Sequence, residues 1–221
     1  MRKVWKLAGA VAGLIWWAVQ AGAVNAPNND ILYAAATWNY EFSDGARDSD
    51  DGQGYQLIYG VPLSWDKTAL EVTFSDIGRT RHLDGNKDYQ TLLMLDLVRD
   101  FGLFGWDTKW LPKFKPFVLA GLGGIQEDVR GDRHIHFGGE LGAGLLLPTN
   151  FHGWSLRADA RVLGQSNDKS VAGEDMLIDY RVTAGLQIPL SYFYGEKAAV
   201  APGADCELAV VDVGSGRRDC A

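Results

Sequence analysis

The chain is poor in cysteine, in proline and in positive charge. Of its 221 residues two are Cys, Cys206 and Cys220, and seven are Pro. Two Cys cannot build a disulfide scaffold or a four-Cys zinc site. Lys and Arg number 21 against 28 Asp and Glu, a formal charge of −7. Three of the positive charges, Arg2, Lys3 and Lys6, fall in the first 23 residues, which hold no acid, so the remainder stands at −10. Such a surface repels phosphate backbones and excludes nucleic acid as a partner. Beyond the N-terminal segment no run of 18 apolar residues occurs, so helices are not what would carry this chain across a membrane.

What is abundant points elsewhere. The chain has 27 Gly, 9 Phe, 8 Trp and 8 Tyr. With so little Pro, that mixture suits twisted, closely packed strands better than helices. An apolar content of 47% excludes wholesale disorder. Residues 1–23, MRKVWKLAGAVAGLIWWAVQAGA, carry three positive charges, an apolar run from Leu7 to Val19, and small residues at Ala21 and Ala23. This is the pattern of a cleaved secretory signal peptide, and no Cys follows it to mark a lipoprotein. Residues 195–221 are small and polar and contain Cys206 and Cys220; in an exported chain these two are expected to close a disulfide.

Between them, residues 24–194 alternate. In WSLRADARVLG (154–164), Leu156, Ala158, Ala160 and Val162 share one face, while Arg157, Asp159 and Arg161 share the other. A helix would scatter those charges; a strand collects them on one side. The template recurs over 31–42, 54–63, 67–77, 88–98, 115–126, 136–147 and 178–190. Eight strands of ten to thirteen residues have the length of tilted transmembrane strands and exceed the five or six usual in soluble sandwiches. The expected fold is therefore all-β: an eight-stranded antiparallel up-and-down transmembrane barrel, with apolar side chains toward lipid and charges toward the lumen. On that phase Glu71, Asp96, Glu140, Arg157, Asp159, Arg161, Asp179 and Arg181 form a lumen charge network. Buried charges must pair, so the Arg side chains are expected to meet these carboxylates. Gly60, Gly121, Gly123, Gly142, Gly144 and Gly185 fall on the inward phase, where a narrow barrel has least room.

An even strand number puts both ends of the barrel on one side. The linkers after strands 1, 3, 5 and 7 are polar and read as outer loops. Those after strands 2, 4 and 6 carry aromatics, and Trp65, Trp106, Trp110, Trp154, Tyr192, Phe193 and Tyr194 map to a periplasmic aromatic girdle. Residues 99–115 are too long for a tight turn and read as an interfacial segment.

KPFVLAGLGGIQ (115–126), GGELGAGLLLP (138–148), SLRADARVL (155–163) and DYRVTAGLQIPL (179–190) resemble the last four strands of the transmembrane domain of OmpA-like outer-membrane proteins. The resemblance covers about residues 30–194 and implies residence in the cell outer membrane. Many such proteins continue through a Cys-containing linker into a peptidoglycan-binding domain. DCELAVVDVGSGRRDC resembles the start of that linker; the sequence stops at Ala221, so a wall-anchoring role is not carried over.

Other motifs carry less. Asp48, Asp50 and Asp51 do not have the spacing of a calcium loop. His134 and His136 point the same way on a strand without further ligands in view, so no metal is expected. Arg130-Gly131-Asp132 is an adhesive tripeptide in form, and three-residue matches arise by chance. Ser75, Ser166, His82, His134 and His136 are the residues available to a lipid A-modifying enzyme, in no recognisable motif. The expectation is a structural, non-enzymatic outer-membrane barrel, without cofactor, contributing to membrane integrity and surface interaction. Its partners would be outer-membrane lipid and lipopolysaccharide, with the barrel-assembly machinery and periplasmic chaperones during biogenesis, and it would be a monomer. A small cation-preferring channel is the alternative, because lumen acids outnumber lumen bases; a lipid A-modifying enzyme is the second.

Overall fold

The computed structural model describes residues 32–190 except 48, 64, 66, 105–112, 130, 150 and 168–172. They form eight strands: β1 (Tyr33–Phe42), β2 (Gly52–Pro62), β3 (Thr68–Thr80), β4 (Lys87–Asp100), β5 (Lys115–Val129), β6 (Asp132–Pro148), β7 (Ser155–Ser166) and β8 (Met176–Pro189). Each pairs antiparallel with the next, and β8 closes onto β1 through Tyr33↔Pro189 to Phe42↔Tyr180. Closure leaves no unpaired edge, which a sheet surrounded by lipid requires. Among the described residues no helix is long and apolar enough to cross a membrane.

The alternation read from the sequence is the alternation of the pleat. Leu141 is 66% exposed, whereas Glu140 beside it is 2% exposed. Leu95, Leu122, Val162 and Val182 face out in the same way, and Asp96, Arg161 and Arg181 face in. The barrel is therefore inverted relative to a soluble core: its smooth aliphatic face lies outside and its charges lie inside. At Gly60 an added Cβ would overlap the ring of Tyr33, and at Gly121 it would overlap Asp96 Oδ1. Those two positions need Gly because inward side chains from neighbouring strands fill the space.

The strands outrun their expected ends, mostly away from the termini. β3 continues to Thr80, β5 continues to Val129, and β6 begins at Asp132. The expected outer loop DVRGDRHI is thus largely strand, turned at Gly131, whose φ of 84° suits Gly. With 17 residues in β6, a rise of ~3.3 Å and a tilt of about 40° give a height of roughly 40 Å, against an apolar belt of about 25 Å. The β5–β6 hairpin therefore stands beyond the belt at the loop end.

Aromatic residues ring both ends. At the end carrying the termini, Trp65 and Phe151 are exposed and Trp154 is half-buried. Trp106, Trp110, Tyr192, Phe193 and Tyr194 of the expected girdle lie outside the described residues, as do Cys206 and Cys220. Toward the loop end Trp38, Phe42, Tyr55, Tyr89, Phe137 and Tyr180 face outward. That second ring escaped the sequence reading because its members sit within strands rather than in linkers. The connection from β4 to β5 starts as a hairpin extension: Phe104 and Phe114 exchange backbone hydrogen bonds of 2.8 Å and stack at 6.2 Å, with Phe101 and Leu103 exposed beside them.

Candidate functional site: the charged lumen

On β7, residues two apart point into the lumen about 6.6 Å from each other. Asp159 therefore lies between Arg157 and Arg161, and it takes Arg157 Nε at 3.1 Å and Arg161 Nε at 2.7 Å. Across the barrel Arg157 grips Glu71 of β3 with two parallel bonds, Nη1–Oε1 2.6 Å and Nη2–Oε2 2.9 Å. This is the fork geometry that makes a guanidinium–carboxylate pair strong. Tyr33 OH donates to the same Glu71 at 2.6 Å, and Arg157 lies 4.7 Å from the Phe117 ring centroid. Arg161 Nη1 reaches Glu140 at 2.6 Å and Asp96 at 3.5 Å, while Thr73 donates to Asp96 at 2.7 Å. These residues make a lower cluster, nearer the termini.

An upper cluster closes the loop end. Arg181 binds Glu41 with Nη2–Oε2 at 2.6 Å, and Arg79 also pairs with Glu41. Arg47 comes from the loop between β1 and β2 and turns inward, pairing with Glu127 and meeting Asp179 at 2.9 Å. Gln90 carries the network across by accepting from Arg79 at 3.0 Å and donating to Gln165 at 2.9 Å. The loop itself is pinned by Asp44, whose carboxylate receives the backbone N–H of Ala46 at 2.9 Å and of Ile178 at 2.7 Å. Those two bonds hold the Asp44 carboxyl below its ordinary range. Between the clusters, Ile77, Leu92, Met94, Ile125 and Leu163 pack as a buried apolar patch on the β3, β4, β5 and β7 side of the lumen, while Asn39, Gln56 and Ser75 are buried on the β1–β3 side and Arg181 Nη1 reaches Glu140 of the lower cluster at 4.0 Å.

All eight expected lumen residues are buried in the barrel interior. Glu71, Asp96, Glu140, Arg157, Asp159 and Arg161 join the lower cluster; Asp179 and Arg181 join the upper one. Sequence reading missed Arg47, Arg79 and Glu127 and left Glu41 out of the network, although the expected strand 31–42 sets Thr37, Asn39 and Glu41 together on its polar, inward phase. Arg79 and Glu127 lie two residues beyond Ile77 and Ile125. These inward apolar residues interrupt the polar phase where the third and fifth strands were expected to stop. Extending the period through them would have found both charges. Arg47 left no signal, because a loop residue has no period.

The other candidates are dispersed. His134 and His136 share the inward face with rings 6.3 Å apart, and His136 faces Glu127 at 3.6 Å. Among the described residues no group of three or more His, Cys, Asp or Glu is placed to hold a metal. Asp50 pairs with His82 at 2.7 Å, and Asp51 accepts from Tyr40 OH and Ser43 N, so these acids fasten loops rather than converge; Asp48 lies outside the described residues. Ser75 accepts from Asn39 at 2.7 Å and Ser166 donates to the Phe137 carbonyl at 3.2 Å, so neither hydroxyl is set against an imidazole.

No family model matches the chain, and no curated protein matches its sequence. Among solved structures the barrel is similar to Neisserial surface protein A, with 14% identity, 72% of this chain and 96% of that one covered, and a TM-score of 0.53. Also similar are the N-terminal β-barrel domain of Pseudomonas aeruginosa OprF (19% identity, covering 72% and 98%, TM-score 0.38) and the outer membrane enzyme PagL (20% identity, covering 72% and 99%, TM-score 0.42). The likeness to Neisserial surface protein A is one of fold. The chain has the closed eight-stranded barrel fold of outer-membrane proteins, the architecture that the OmpA-like resemblance implies.

Proposed function

We propose that the protein is a non-conducting structural barrel of the outer membrane. It would be exported with its N-terminal signal, inserted as a monomer by the barrel-assembly machinery, and held by lipid and lipopolysaccharide around its belt. The observation that carries this reading is the filled lumen. Glu41, Glu71, Asp96, Glu127, Glu140, Asp159 and Asp179 face Arg47, Arg79, Arg157, Arg161 and Arg181, and each of these guanidiniums lies within 4.0 Å of at least one of the carboxylates. The apolar patch between the clusters narrows the polar route through the lumen further. An ion crossing it would shed its hydration and separate buried pairs, each step costing several kcal/mol. The role then rests on the outer surface and the rims: reinforcing the membrane and presenting the loop end to the surroundings.

Reconstitution in planar bilayers tests this. The expected result is no discrete conductance at neutral pH from protein that migrates faster unboiled than boiled on a detergent gel. Steady cation-selective steps from the same folded material would favour the channel instead.

A further inference from the structure

A cavity of about 260 Å³ opens at the end of the barrel that carries the termini, beneath the lower charge cluster. Its floor is the Arg157–Glu71 pair with Phe117 against the guanidinium, and Val98 and Leu146 form an apolar wall. At its rim stand two ammonium groups. Lys115 lies 3.5 Å from Asp100, which also receives the Gly102 N–H at 2.8 Å. Lys67 has no carboxylate partner among the described residues, and its placement is built rather than incidental. Its φ is +52°, a left-handed conformation that costs a residue with a Cβ about 1 kcal/mol or more. Its carbonyl accepts the Asp100 N–H at 2.9 Å. Facing it is Gly102, φ +86°, where a Cβ would come within 3.1 Å of Lys67 Nζ. Two left-handed residues on different connections thus bring one uncommitted ammonium over the cavity. The charged lining is Lys67, Lys115 and Arg157 against Glu71 and Asp100, locally positive in a chain of net charge −7.

We propose that this cavity binds the phosphate end group of a ligand, held between Lys67 and Lys115. Its volume falls below the ~300–1,000 Å³ of pockets that enclose a whole drug-sized ligand, so an end group enters and the rest stays outside. An anion there neutralises the free ammonium, with charge-assisted hydrogen bonds worth more than neutral ones. The same chemistry is offered by a free anion and by the head group of an anionic phospholipid. Exposed Phe101, Leu103 and Phe104 near the rim provide surface for acyl chains in the second case.

The test uses the full chain, folded once in zwitterionic detergent and once in lipid nanodiscs. Inorganic phosphate is titrated into the detergent sample by calorimetry. Nanodiscs of phosphatidylcholine with or without phosphatidylglycerol are assayed for protein-retained lipid by native mass spectrometry. Saturable phosphate binding points to a free anion; phosphatidylglycerol retained over phosphatidylcholine without phosphate binding points to the head group. In either arm Lys67→Gln should weaken binding about tenfold, the loss of one charged hydrogen bond. Lys67→Arg should restore it, and Lys87→Gln at the far end should change nothing. Lys115→Gln supplies the same readout should Lys67→Gln fail to fold. No binding in both arms, or equal binding by wild type and the folded Lys67→Gln and Lys115→Gln variants, would overturn the proposal.

Discussion

The two charge clusters inside the barrel are built differently. The lower one draws Glu71, Asp96, Glu140, Arg157, Asp159 and Arg161 from the interiors of β3, β4, β6 and β7, where register and pleat leave each side chain one direction to point. The upper one sets Asp179 and Arg181, from within β8, against Glu41, Arg79 and Glu127 from strand ends and Arg47 from a loop, so most of it depends on how far strands run and on how one connection folds inward. The lower cluster is a consequence of the sheet. The upper one is an additional closure placed on top of it.

Removing the centre of the lower cluster should hurt most. Arg161 alone touches Asp96, Glu140 and Asp159. Arg161→Leu removes the only guanidinium within 4.0 Å of Asp96 among the described residues, leaves Asp159 with Arg157 and leaves Glu140 with Arg181 at 4.0 Å; the loss expected for breaking a buried pair is about 3–5 kcal/mol. Urea titration of folding into lipid vesicles reads it, and a loss no larger than that of the Arg47 variant would erase the distinction between the clusters. Crowding the same region comes next. Gly121→Ala drives a methyl into Asp96, for about 1–3 kcal/mol, whereas Gly124→Ala meets nothing within 4 Å and should be near neutral. The pair of variants separates steric filling from a general cost of altering β5.

Arg47→Ala strikes the upper cluster with less force, about 1–2 kcal/mol, because Arg79 still faces Asp179 at 3.6 Å and Glu127 at 3.9 Å. The lower cluster beneath should keep this variant non-conducting in the bilayer assay; ion steps from it would make Arg47 the seal. The smallest effect belongs to Asp44. Its carboxyl is held below its ordinary range by backbone N–H groups, so its contribution is present above the unfolded value near pH ~4 and is lost as pH falls through the lower folded value. Asp44→Asn should cost under about 1 kcal/mol at pH 7 after screening by water, and the difference from wild type should vanish at strongly acid pH. Urea midpoints measured at several pH values check the sign.

The barrel was legible because lipid and lumen impose opposite demands on successive residues. Trp154–Gly164 and Ile178–Leu190 show it unmistakably: one phase carries Leu, Val and Ala, the other Arg and Asp. The closure of β8 on β1 follows the same logic, since eight such strands side by side leave edges that lipid cannot satisfy. The phase failed as a guide where the lumen itself turns apolar, at Ile77 and Ile125, and the strand ends and two charges beyond them were lost with it.

The amino-acid sequence by itself determined strand number, facing and the mid-strand charges, because a period of two is a local property of the backbone. Which carboxylate each guanidinium meets was decided only in three dimensions. Arg157 and Glu71 are 86 residues apart, and Arg47 reaches Asp179 across 132. Those distances collapse when the sheet closes on itself, and no local pattern encodes which side chains then meet across the lumen. The cavity rim is of the same kind. Lys67 and Gly102 sit on separate connections, and only the folded backbone, left-handed at both, brings an ammonium to the mouth of the barrel.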